Sequence, residues 1–496
     1  MNQVTVELDG YNLSIEDFIT VVREKKRVKL TKDANEKIIK SAEIVKDILS
    51  EERKVYGVTT GFGYLQEVSI SSKDAEKLQQ NLITSHVAGV GSEFPHEIVR
   101  GMMVLQLNKF ARGHSGIQPQ TVKLLMNLLN SNIIPVVPSK GSLGASGDLA
   151  PLAHLSSVLI GRGIAEFNNE RLSGIDALKK AGLKPVILKA KEGLALLNGT
   201  QAMTSIATLA VYDAEYLVHV ANLATALSME IHRSNIDSLH PKIHQARPHI
   251  GQNQVAKSLR AFLSGSKRVR QNIAIQDSYS LRCAPIVHGA SLDTISYAKK
   301  VVEIEINSST DNPLIFSPTE VFSGGNFHGQ PIALSMDYLG IAIAELGSIS
   351  ERRIERLVNP SLSGLPAFLT PNSGLNSGLM IAQYTAASLV SENKGLAFPA
   401  SVDSIPVSAN QEDHVSMGTL AARQARSIIT NVENIIAIEL LCACQAVDLA
   451  KIQDQLSPVC IKIYSQIRNK IPTLERDREL TDDIQWCVDL IKKKAL

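Results

Sequence analysis

The chain has 496 residues, 44% hydrophobic and 20% charged, which is ample apolar material for a large buried core and too little bias for a fibrous or disordered chain. Its 51 basic and 49 acidic residues leave a formal charge of +2, so no broad field draws in a phosphate backbone or an anionic lipid surface, and neither nucleic acid nor membrane is an expected partner. Five cysteines (Cys283, Cys442, Cys444, Cys460, Cys487) make an odd count with one close pair, which indicates neither a disulfide framework nor a zinc site. The first residues, MNQVTVELDGYNLSIEDF, lack the charged-then-apolar layout of a secretory leader, so a cytoplasmic location is expected.

In chain order, VTVEL alternates like a strand. Residues 34–54 then place Ile38, Ala42, Val45 and Ile48 three and four apart, an amphipathic helix with Asp33 and Glu36 in capping-box positions. Helical periodicity recurs at 119–132, 199–232, 331–358, 376–394 and 420–455, and short strand-like segments flank Phe167 and Phe316. Leu357 to Ser391 carries no charge but is broken by Pro360, Pro366 and Pro371, so it reads as a buried or subunit-facing segment, not a span. Long helices and 4% aromatics predict a mainly all-α fold, a long-helix bundle packed through aliphatic side chains. No repeat or low-complexity linker separates modules.

Between these helices lie polar, glycine-rich loops: YGVTTGFG (56–63), ARGHSG (111–116), GSLGASGDLAPLAH (141–154), NGTQ (198–201), QDSYSLRC (276–283), SSTDNP (308–313), GGNFHGQP (324–331) and ANQEDH (409–414). Loops of this composition on a rigid scaffold are where chemistry tends to sit, and their number predicts one composite site. In GSLGASGD, the bare Gly147 lets its amide nitrogen approach the Ala145 carbonyl carbon in a tight turn. Ring closure and loss of the Ser146 hydroxyl yield a methylidene-imidazolone, an electrophilic alkene that no standard side chain offers. Pro151 is placed to begin the helix that follows. His86, His114, His154, His328 and His414 are scattered without ligand spacing, so no metal is expected.

GSLGASGDLAPLAH resembles the prosthetic-group loop of the aromatic amino-acid ammonia-lyase family almost letter for letter. YGVTTGFG, KEGLALLNGTQ, QDSYSLRC, SGGNFHGQP and SANQEDHVSMG resemble its further site loops in family order, spanning residues 56 to about 417. The resemblance implies a fumarase/aspartase-like long-helix architecture with a smaller mixed N-terminal active-site region (1–110) ahead of the bundle (111–496). It also implies a homotetramer with active sites shared between subunits, and a prosthetic group made from Ala145, Ser146 and Gly147 with no dissociable cofactor.

By the same resemblance Tyr56 is the β-proton base, with Glu412 as the other candidate for the dominant base; for Tyr56 the role requires nearby positive charge or hydrogen bonds to bring its phenol well below its ordinary pKa of about 10. Arg282 binds the substrate carboxylate, Asn198 and Tyr279 surround the electrophile, and Phe327 lines the pocket. Ser85-His86 and Glu412 match the histidine type, and imidazole can hydrogen-bond a carboxylate and a histidine where a phenyl ring cannot. L-Histidine, giving trans-urocanate, is therefore the expected substrate. Ser278, Ala284, Ile286 and His288 stand where that type usually has Pro, Gln, Gln and Met, and Gly329-Gln330 where it has Ala-Glu. These departures keep a tyrosine or phenylalanine lyase, or a 2,3-aminomutase, as alternatives. From other classes, the fumarase and aspartase carboxylate-binding signature is not present, and an inactive helical scaffold is opposed by the intact Tyr56, Ser146, Arg282 and Glu412.

Overall fold

The periodicity read from the sequence is realised at six places, as helices Lys32–Ser50, Pro119–Asn130, Gln201–Ile231, Gln330–Val358, Met380–Leu396 and Gly418–Ala450. The computed structural model describes residues 5–51, 53–71, 74–270 and 275–496, among which nineteen α-helices and nine strands of two to four residues occur. Of the strand expected at VTVEL, Val6–Leu8 is formed, and Val4 lies outside the described residues. The first long helix corrects the expected cap. Its N-cap is Thr31, in extended geometry, with a hydroxyl that accepts from the Ala34 amide at 3.2 Å. Asp33 instead pairs with Lys37 one turn on, at 2.6 Å, and Glu36 with Lys32 at 3.7 Å, so the carboxylates serve the helix flank.

Two compact units divide the chain. The first holds Met1–Leu209, Lys299–Met336 and Pro399–Arg423. Its centre is the helix His96–Ala111, buried without interruption from Ile98 to Ala111 and packed by Ile15–Val22, Lys32–Ser50 and Pro119–Asn130. A helix buried all round has no solvent face to orient it, so neighbours on every side fix its position. One such neighbour comes very close: a β-carbon on Gly101 would stand 2.7 Å from Phe18 Cζ and 3.0 Å from Ser205 Cβ. Arg100 is buried on the same helix and spends its donors on the carbonyls of Val21 and Leu129 and on Asn132 Oδ1; burial brings its pKa down to about 10. Small sheets edge this unit. Val6–Leu8 runs parallel to Val28–Leu30, Val90–Glu93 antiparallel to Pro138–Lys140, Ile134–Pro135 and Glu170–Ser173 flank Ile164–Phe167, and Leu314–Ile315 pairs with Val321–Phe322.

The second unit holds Ala210–Ala298, Asp337–Phe398 and Gln424–Leu496 and is helical. Gln330–Val358 and Gly418–Ala450 are long and apolar enough to cross a membrane by length and composition, but 67% and 78% of their most apolar windows are buried inside the chain. They are core helices.

Replacing Gly101 with alanine forces Phe18 or Ser205 out of place. Overpacking of this kind costs about 1–3 kcal/mol, and a fall in melting temperature read by calorimetry, with the helical circular dichroism retained, is the expected outcome.

Candidate active site

The Ala-Ser-Gly loop is clamped from three sides within the first unit. Gly147 has φ +75° and bridges to Gly199, and a β-carbon on it would overlap the Gly199 backbone. The next residue, Asp148, donates its amide to the Gly199 carbonyl at 2.8 Å. Its fully buried carboxylate accepts from Ser142 Oγ at 2.8 Å, from Thr419 Oγ1, and from the amides of Ala202 and Met203 at 2.9 Å each. Those amides open the helix Gln201–Ile231, where unpaired N–H groups and the helix dipole favour an anion. Burial still pushes the Asp148 carboxyl above its ordinary range, against the pull of these four donors. On the third side the Gly144 carbonyl accepts from Ser416 Oγ at 2.9 Å and from the Gly329 amide at 3.2 Å. The helix after the loop begins at Leu149 with Asp148 as cap, so Pro151 sits inside the first turn and does not begin it.

The NGTQ segment facing the loop is pinned residue by residue. Lys109 Nζ donates to the carbonyls of Ala195 (2.8 Å) and Asn198 (3.0 Å), Thr200 Oγ1 to Glu305 (2.6 Å), and Gln201 Nε2 to Thr310 Oγ1 (2.7 Å). Burial pulls the Lys109 ammonium down to about 8, and burial together with nearby Asp148 pushes the Glu305 carboxyl up. Sequence reasoning missed both residues. The one signal was a lysine in the otherwise uncharged run MMVLQLNKFA, on a helix that proves buried all round.

Two cavities, of about 400 and 590 Å³, meet at Ser146 and share Tyr56, Gly63, Asn198 and Glu412. The smaller is polar and reaches Ala145, Asn312, Phe327, His328 and His414. The larger is mostly apolar, walled by Phe62, Leu65, Leu78, Leu82, Leu149 and Leu197, with Ser85 and His86 as polar insertions. Ser146 Oγ donates to Glu412 Oε1. Glu412 is presented by a hairpin paired to Val407 through a left-handed run at Ser408, Ala409 and Asn410. His86 Nδ1 lies 2.8 Å from the Leu82 carbonyl, which can only accept, so Nδ1 carries the hydrogen and Nε2 is left as an acceptor. Burial lowers its pKa, which favours this neutral form. Asn198 Oδ1 is buried with no hydrogen-bond partner.

Tyr56 accepts from the Gly63 amide at 3.1 Å and meets Phe62 edge-on at 6.4 Å. Its expected acidification is not found in this environment. Burial, with a smaller push from Glu412, raises the phenol pKa, and only the Gly63 amide opposes them. Among the described residues no lysine or arginine lines either cavity. Ala145, Ser146, Tyr56, His86, Asn198, Phe327 and Glu412 all line one or both cavities, with Gly147 directly behind, whereas Tyr279 and Arg282 line neither. These two belong to the short helix Tyr279–Arg282 of the second unit, where Tyr279 is 71% exposed and the Arg282 guanidinium lies 4.6 Å from its ring centre. Arg282 Nε is buried there without a partner, beside a cavity of about 350 Å³ that includes Asp277.

Comparison with known proteins identifies the family. The sequence model described as "Aromatic amino acid lyase" matches residues 13–469. The histidine ammonia-lyase of Alkaliphilus metalliredigens is 51% identical over 98% of this chain and 96% of its own length. Among solved structures, histidine ammonia-lyase from Trypanosoma cruzi superposes with a TM-score of 0.93 at 42% identity, covering 99% of this chain and 94% of that one. Tyrosine aminomutase from Streptomyces globisporus superposes with a TM-score of 0.95 at 39% identity, covering 99% and 97%. A profile match over residues 13–469, with sequence and fold matches over nearly the whole chain, means that the chain belongs to the aromatic amino acid lyase family.

Proposed function

We propose that the chain is a carbon–nitrogen lyase that eliminates ammonia from L-histidine to give trans-urocanate. The observation that carries this reading is the pairing of Glu412 with a neutral His86 that offers Nε2 as an acceptor, both bordering the cavity that opens at Ser146. A ring N–H finds an acceptor at either group. A phenyl ring offers no donor and would leave the half-buried His86 Nε2 and Glu412 carboxylate without a ring partner, which disfavours it.

The residues fit the prosthetic group that the family implies. Gly147 is held where no side chain can go, and the buried Asn198 amide oxygen lacks a partner beside the loop. Once formed from Ala145, Ser146 and Gly147, a methylidene-imidazolone supplies the electrophilic carbon that activates the substrate amine. Around it the chain's own groups do the rest. Tyr56 Oη takes the β-proton, Glu412 and His86 hold the ring, Asn198 hydrogen-bonds at the loop, Phe327 closes the polar side, and Arg282 grips the carboxylate as a bidentate donor, with Tyr279 beside it.

Arg282 and Tyr279 reach this pocket from a second copy of the chain, in a cytoplasmic homotetramer with shared sites. Two observations support that assignment: among the described residues no lysine or arginine lines the pocket, and the Tyr279–Arg282 helix presents a largely exposed tyrosine and a guanidinium with an unpaired nitrogen. The likeness to an aminomutase that acts on tyrosine supports a second reading, in which ammonia is returned at the β-carbon.

Three outcomes are expected. With L-histidine, L-tyrosine and L-phenylalanine supplied separately, chromatography finds urocanate from the first and no β-amino acid, and His86→Leu lowers kcat/KM for histidine by about ten- to a hundredfold; a preference for phenylalanine in the unmodified protein defeats the reading. Intact mass falls about 36 Da short of the sequence, two waters, in the native protein and not in Ser146→Ala. Because Tyr56 must lose its proton, kcat/KM rises with pH up to the phenol pKa; Arg282→Met removes the neighbouring charge and moves that rising limb to higher pH.

A further inference from the structure

His288, one of the departures from the histidine-type pattern, is fully buried on the helix Ala284–Glu305, which follows directly on the Tyr279–Arg282 turn. Its Nδ1 lies 2.7 Å from Asn222 Oδ1, an acceptor, so the hydrogen is on Nδ1 and Nε2 accepts from Arg353 Nη1 at 3.4 Å. Burial and the adjacent Arg353 hold the imidazole pKa well below its ordinary value, so this neutral tautomer persists. Arg353 is itself fully buried. Its Nε and Nη2 grip Glu439 at 2.6 and 2.8 Å, and Nη1 also donates to the Ser280 carbonyl at 3.4 Å. Glu439 is completed by Ser228 Oγ at 3.0 Å and Ser350 Oγ at 2.6 Å.

Two of the three guanidinium nitrogens are thus fixed by Glu439. The third is aimed by two weak acceptors, His288 and Ser280. Ser280 is the residue after Tyr279 and two before Arg282, so whatever aims Arg353 Nη1 sets the turn that carries both side chains. A methionine at 288 offers only a weak thioether acceptor and leaves Nη1 held from one side.

We propose that His288 is a positioning residue for recognition of the substrate's α-carboxylate: through Arg353 Nη1 and the Ser280 carbonyl it fixes the turn from which Arg282 reaches that carboxylate. The proposal rests on the reading of Arg282 as the carboxylate ligand. An Arg282 displaced by a fraction of an ångström loses two-pronged geometry before it loses charge, so binding of the carboxylate should suffer and turnover of bound substrate should not.

The test uses the full-length enzyme and two competitive inhibitors, imidazole-4-propionate and 4-ethylimidazole, which differ in the carboxylate. In His288→Met, KM for L-histidine and the inhibition constant of the propionate both rise about tenfold, kcat stays within about twofold, and 4-ethylimidazole binds as before. His288→Gln, which keeps an amide oxygen for Arg353, recovers most of the lost affinity. An unchanged KM, or equal weakening of both inhibitors as general loosening would produce, overturns the proposal. Arg282→Met runs alongside: if it spares propionate binding, the reading of Arg282 falls and the role of His288 falls with it.

Discussion

Where the backbones of Gly147 and Gly199 touch, there is no volume for a side chain on either strand, and the surrounding structure follows from keeping them together. Main chain pressed against main chain gains little of its own, so the approach has to be enforced from behind. On one side Asp148 does so twice, through its amide to Gly199 and its carboxylate to the start of the next helix. On the other, Lys109 and Glu305 hold the residues either side of Gly199. Lys109 and Asp148 are buried and Glu305 is partly so, and burial moves each pKa toward the neutral form. Groups of this kind cost several kcal/mol to bury, and apolar replacements of similar volume are often neutral or stabilising. Their presence is therefore hard to explain by stability. It is easily explained by the need to fix one loop against another, since hydrogen bonds have direction and apolar contacts do not.

The same logic recurs in the second unit, where the buried Arg353–Glu439 pair spends two nitrogens on a carboxylate and leaves the third to the Ser280 carbonyl and His288. In both units a buried cation ends on a backbone carbonyl at, or next to, a residue that the proposed chemistry uses. Lys109 reaches Asn198 directly, and Arg353 reaches the neighbour of Tyr279.

What could be read from the sequence follows from the range of each interaction. Helices such as Lys32–Ser50 and Gly418–Ala450 repeat their apolar residues many times, so periodicity finds them and places their ends within a few residues. Their caps depend on a single hydrogen bond, and there local pattern chose Asp33 where Thr31 does the work. The six-residue helix Glu192–Leu197 is too short for any period to show. Tyr56, Ser146, Asn198 and Glu412 were nominated as one site because their loops match a known pattern, and the chain brings those four to shared cavities from positions far apart in sequence. Lys109 and Glu305 belong to no motif. They are identified only by what lies beside them after folding.

Charge sets the remaining step. Counting only residues that line the two cavities, the pocket carries Glu412 and Asp413 against no lysine or arginine, so it repels a carboxylate and holds Tyr56 in its protonated form. Two unit charges about 4 Å apart interact by about 4 kcal/mol at the effective dielectric typical near a protein surface. One guanidinium brought to that distance favours the phenolate and so lowers the phenol pKa, against the push of burial and Glu412. In the proposed roles, a single arginine would meet both needs at once, anchoring the carboxylate and acidifying the base. In the proposed tetramer that arginine arrives with the second copy, so on that proposal acidification of the tyrosine, and with it proton abstraction, depends on assembly.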